Sequence, residues 1–73
     1  MNDKRSKFVK LAENRVNKIN EIIRLLGNLS NKNSYQYDDT DVEKMFNAIQ
    51  EELKKSKVKF DVAKKQNETR FKL

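Results

Sequence analysis

Gly27-Asn28-Leu29-Ser30-Asn31-Lys32-Asn33-Ser34-Tyr35-Gln36-Tyr37-Asp38-Asp39-Thr40 is the stretch on which the fold turns. It contains the single Gly of a chain that has no Pro, so this is where helical structure is expected to break. Asn and Ser hydrogen-bond their own backbone and favour turns over helix. Gly27 stands where a C-cap glycine would end one helix. Thr40-Asp41-Val42-Glu43 has the capping-box pattern that would open the next. Asp38, Asp39 and Asp41 place negative charge at the positive end of that second helix. The connection, residues 27–40, is longer than most helix–helix loops.

Helical periodicity flanks this break on both sides. Helix 1 is expected over about residues 4–26, with Phe8, Ala12, Ile19, Ile22, Leu26 and Leu29 on one row and Val9, Val16 and Ile23 on a second. Together the rows make a stripe wider than a two-stranded seam needs. Helix 2 is expected over about 41–67, where Val42, Phe46, Ile49, Leu53, Ser56, Phe60 and Ala63 alternate spacings of four and three and Met45 thickens the first turns. Glu51–Lys55 and Asp61–Lys65 are i,i+4 pairs in the favourable order. The reading is an all-α fold, one domain over residues 1–73, with two helices in an antiparallel hairpin and Phe8, Phe46 and Phe60 in its core.

A chain of 73 residues buries only a modest core. With neither Cys nor His, disulfides are impossible and a zinc site has no usual ligands. Self-association remains, and the broad stripe of helix 1 suits it: a homodimer forming a four-helix bundle is expected. Charged residues at 38% and hydrophobic ones at 36% match long amphipathic helices. No apolar run approaches the roughly 18 residues of a membrane span. The N-terminal Met1-Asn2-Asp3-Lys4-Arg5-Ser6-Lys7 leads into mixed residues instead of a signal-peptide apolar stretch, so a cytoplasmic protein with no membrane partner is expected.

The net charge of +6 is unevenly spread. Residues 1–18 carry six Lys and Arg against two acids, a net +4. Residues 19–53 carry three bases against seven acids, a net −4, and residues 54–73 carry eight against two, a net +6. An antiparallel hairpin would gather the first and last segments at its open end, pooling +10, with −4 at the loop end. A pole of that kind attracts polyanions and releases counterions from their phosphates. Lys4, Arg5, Lys7, Lys10, Lys54, Lys55, Lys57 and Lys59 are the candidate phosphate contacts. Lys-rich helix faces also serve solubility alone, but like charges packed this densely repel one another, and an anionic partner would relieve that.

Catalysis is not expected: no His or Cys stands ready as base or nucleophile, and one Gly cannot build a glycine-rich phosphate cradle. No cofactor is implied. The aspartates around residue 40 lack the ligand spacing of a calcium loop, and capping accounts for them, so no metal is expected. The loop is the other candidate site. Asn28, Ser30, Asn31, Asn33, Tyr35 and Tyr37 concentrate polar groups and two aromatic rings in a combination suited to adaptable recognition. Turn formation by Asn and Ser, with Tyr covering the core, is the plainer account of the same residues. Phe71, near the chain end and off the main seam, could anchor another chain.

The segments Phe8-x-x-Leu11-Ala12-Glu13-x-Arg15, Ile22-Ile23-Arg24-Leu25-Leu26-Gly27-Asn28-Leu29-Ser30-Asn31, Tyr35-x-Tyr37 and Asp41-Val42-Glu43-Lys44-Met45-Phe46 carry a resemblance. They resemble a group of short, mostly uncharacterised proteins encoded on phages, plasmids and integrative elements, chiefly of Gram-positive bacteria. The likeness spans about residues 4–60 and is most specific in the Gly-Asn-Leu-Ser-Asn…Tyr-x-Tyr segment. It implies an accessory gene of a mobile element and no particular mechanism. Two functions follow as expectations. One is a non-enzymatic accessory or regulatory protein binding nucleic acid, with weak sequence preference, through its basic pole. The other is an adaptor or inhibitor, such as a defence-system inhibitor, that binds a host protein through the Asn/Ser/Tyr loop and helix 1.

Overall fold

The computed structural model describes the backbone of residues 3–68 and the side chains of residues 3–65. The elements run α1 (Asp3–Gly27), a 3-10 turn (Asn28–Ser30) and α2 (Asp39–Glu68), with no strand among the described residues. The fold is all-α and contains two helices. The sequence expectation for Phe71 lies outside the described residues.

The chain divides into two units, one ending at Gln36 and one beginning at Tyr37. In the first, α1 occupies 25 residues, with Asp3 in its first turn and Arg24 in its last, the arrangement that complements the helix dipole. Gly27 does not take the left-handed cap expected of it. It sits at φ −60°, ψ −29°, still right-handed, and no described residue has a positive φ. The chain tightens directly from α1 into the 3-10 turn over Asn28–Ser30, a route that satisfies terminal carbonyls without a left-handed residue. Asn31 then breaks the helical path at φ −68°, ψ 102°.

Asn31 also builds the turn that follows. Its carbonyl accepts the amide N–H of Ser34 at 3.1 Å and of Tyr35 at 3.0 Å. Its side-chain Oδ1 accepts the Asn33 N–H at 3.0 Å, an Asx turn, and its Nδ2 reaches Ser34 Oγ at 3.5 Å. One asparagine thus ties down Asn33, Ser34 and Tyr35.

The second unit opens on a capping box, but two residues earlier than the sequence suggested. Asp41 N–H donates to Asp38 Oδ1 at 2.8 Å, and Asp38 N–H donates to Asp41 Oδ2 at 3.0 Å. Asp38 is therefore the N-cap and Asp41 the third helical residue, with Thr40 already inside α2. A carboxylate accepts these amide hydrogens more strongly than a threonine hydroxyl and answers the helix dipole as well. The first helical bond, Val42 N–H to Asp38 C=O at 3.3 Å, follows from that choice. Tyr37 and Val42 occupy the N′ and N4 positions of a hydrophobic staple, and both are half-buried. Farther along, Lys55 Nζ lies 3.6 Å from Glu52 Oε1, so Lys55 pairs one turn back at i,i+3 instead of with Glu51. Both side chains are well exposed, and such a pair contributes little.

Packing departs most from expectation. No described residue is buried. Phe8 is 48% exposed, Phe46 41% and Phe60 64%, so the three rings assigned to a core lie open. The physical reason is local: an amphipathic helix cannot cover its own stripe, however regular the stripe is.

Candidate nucleic-acid interface

Basic residues cluster near the start of α1 and in the later half of α2. Lys4, Arg5, Lys7 and Lys10 occupy the first turns of α1, and all are exposed. The Arg5 guanidinium lies 5.8 Å from the centroid of the Phe8 ring one turn on, at the outer range of a cation–π contact. Lys7 and Lys10 point away from the apolar stripe of the same helix. Lys18, three turns after Lys7, returns to the same side and extends this surface.

On α2, Lys54, Lys55, Lys57 and Lys59 are all exposed. At about 100° of rotation per residue, they fan over roughly 200° of the helix surface. The centre of that fan is opposite the Val42–Phe46–Ile49–Leu53 seam. Sequence spacing therefore sets Lys54, Lys55 and Lys59 away from the apolar seam, while Lys57, one turn after Leu53, borders it. Val58 and Val62 lie within the cationic face, 48% and 47% exposed. These two were missed as surface residues because their type suggests a core. Their rotation relative to the seam identifies them, as it does Lys65, which joins the same fan.

The loop residues separate into different roles. Asn28 and Ser30 lie in the 3-10 turn. Asn31 is committed to its turn through both backbone and side chain, and Asn33 is held by its amide. Tyr35 leaves this pinned turn 51% exposed, whereas Tyr37 is half-buried beside the α2 cap. Tyr35 is thus the aromatic the loop presents. The carboxylates of Asp38 and Asp41 are engaged with backbone amides. Among the described residues, no group of three or more His, Cys, Asp or Glu is placed to hold a metal ion.

No helix among the described residues is long and apolar enough to cross a membrane. No family model matches the chain, and no curated protein or solved structure is significantly similar to it.

Proposed function

We propose that this chain is a small, non-enzymatic accessory protein of a mobile genetic element that acts in the cytoplasm and binds nucleic acid through its phosphate backbone. The binding surface is a basic pole made when α1 and α2 close against each other as an antiparallel hairpin, the hairpin in turn pairing into a four-helix dimer. The observation that carries this reading is the division of α2: one side is a seam at four-and-three spacing, apolar but for Ser56, the far side carries Lys54, Lys55 and Lys59, and Lys57 borders the seam. Packing the first side leaves the second directed outward.

The two seams also match in register. Leu26 with Val42, Ile22 with Phe46, Ile19 with Ile49, Arg15 with Leu53, Ala12 with Ser56 and Phe8 with Phe60 are pairs whose residue numbers each add to 68. Six layers stay in step without a slip, as antiparallel helices require. The small Ala12–Ser56 layer next to the large Phe8–Phe60 layer keeps the spacing between the helices even. In this register Lys7 and Lys10 lie level with residues 58–61, beside the α2 lysines. Such a surface reads charge density and not base identity, so weak sequence preference follows.

The test is a salt titration of binding to a labelled generic duplex and a labelled single strand. Affinity falls steeply between 50 and 200 mM salt, by about tenfold or more for each few phosphates neutralised. Changing Lys54, Lys55, Lys57 and Lys59 together to Glu abolishes it while helicity stays intact. No binding of either probe at low salt overturns the proposal.

A second reading rests on Tyr35. An exposed aromatic ring on a turn pinned by Asn31 is a preorganised protein contact. It supports an adaptor or inhibitor that holds a host protein through Asn28, Ser30, Asn31, Asn33, Tyr35 and Tyr37 together with α1. Tyr35→Ala removes that partner from a pull-down and leaves salt-dependent nucleic-acid binding unchanged, which separates the two readings.

A further inference from the structure

We propose that a second copy of this chain seats on α1, antiparallel to it, with the two-fold axis passing between Val16 and Ile19. The inference deepens the dimer reading above by assigning its surface and direction.

The two helices differ in how many apolar seams they carry. Val9, Ala12, Val16, Ile19, Ile23 and Leu26 form a second seam on α1, alternating spacings of three and four with no polar member. It shares Ala12, Ile19 and Leu26 with the seam that faces α2 in the hairpin, which is interrupted by Arg15. α2 offers no such second seam: the rows flanking its apolar face run into Glu52 and Lys59 on one side and Gln50 and Lys57 on the other. A helix with two seams has two helical neighbours, and a helix with one has one. In a four-helix assembly of two hairpins, α1 therefore meets α1 of the other copy.

This surface is open. Val16 is 53% exposed, Ile19 47% and Ile23 38%. Ala12, Glu13, Val16 and Asn17 border a shallow depression on α1. It borders this second seam: Ala12 and Val16 belong to the seam, and Glu13 and Asn17 lie beside it.

Direction follows from register and charge. Run antiparallel, the seam pairs with itself completely: Val9 with Leu26, Ala12 with Ile23 and Val16 with Ile19 of the partner subunit, each pair of numbers adding to 35. Large residues from the partner then face Ala12 and Val16 and fill the depression. Residues 3–18 carry a net +4, while Glu21 and Arg24 leave residues 19–27 neutral. A parallel pairing stacks the two +4 halves, whereas the antiparallel one sets each over a neutral half. With the hairpins closed, it also brings each basic pole beside the acidic loop end of the other copy.

The chain has no Cys, so single-cysteine variants report cleanly. Val9→Cys and Leu26→Cys are made separately in the full chain, checked for helicity by circular dichroism, and oxidised alone and mixed. Sedimentation equilibrium of the unmodified chain runs in parallel at micromolar concentration. The proposal expects a dimer by sedimentation, a disulfide-linked heterodimer from the mixture, and little linkage from either variant alone. Self-linkage of Val9→Cys alone means a parallel seam and overturns it. A sedimenting dimer that yields no linkage overturns this surface while leaving dimerisation standing. A monomer at every concentration overturns both, and the salt titration above still decides nucleic-acid binding independently.

Discussion

Replacing Asp38 by Ala tests how α2 begins. The change removes the 2.8 Å bond that Asp41 N–H makes and leaves that amide to water at the charged end of the helix. N-cap removal of this kind costs about 1 kcal/mol, within a range of roughly 0.5–2. Loss of the carboxylate from the helix dipole adds about 0.3–1 kcal/mol at low ionic strength. Asp41→Ala removes the reciprocal 3.0 Å bond to the exposed Asp38 N–H, a net loss of roughly 0.5–1 kcal/mol, and takes a first-turn carboxylate from the same dipole as well. Because each carboxylate orients the partner that binds it, the double variant loses less than the sum of the two. Asp38→Asn, which keeps an accepting oxygen, retains most of the stability. Thr40→Ala is nearly neutral, since Thr40 lies within α2 and Ala is the better helix former. Urea unfolding followed by circular dichroism at fixed protein concentration measures all five. A larger loss for Thr40→Ala than for Asp38→Ala would refute the argument and return the cap to Thr40.

Other predictions follow from the same local geometry. Gly27→Ala raises stability by about 0.5–1 kcal/mol, because Gly27 is right-handed and a Cβ there meets nothing within 4 Å; a lower melting temperature would show that the position needs glycine after all. Asn31→Ala releases the turn, so the amides of Asn33, Ser34 and Tyr35 exchange hydrogen faster while those of mid-α1 do not change. Uniform acceleration along the chain would contradict a local role. Glu52→Gln shifts stability by less than about 0.5 kcal/mol, and the shift shrinks with added salt, because the Glu52–Lys55 pair is exposed; a salt-independent loss near 2 kcal/mol would place Glu52 in a buried contact.

Most of the secondary structure was legible in the residues because a helix is held by bonds four residues apart. Six apolar positions and Ser56, from Val42 to Ala63 at alternating spacing, leave little else for α2 to be. The loop's chemistry was legible too: Asn31 forms the kind of side-chain turn its type favours. The start of α2 was harder, because two capping patterns overlap. Asp38-x-x-Asp41 and Thr40-x-x-Glu43 both satisfy the spacing, and only backbone direction distinguishes them. Gly27 shows a related limit, since glycine permits the left-handed cap without requiring it.

By itself, the sequence determined that the chain makes two amphipathic helices and one turn, and that most of its cations fall outside the apolar rows. These are matters of neighbours along the chain, set by covalent spacing and helical pitch. The three-dimensional structure decided which carboxylate caps α2 and which tyrosine is presented. Those depend on where atoms meet in space, and a row of apolar residues specifies that it needs a cover without specifying whose.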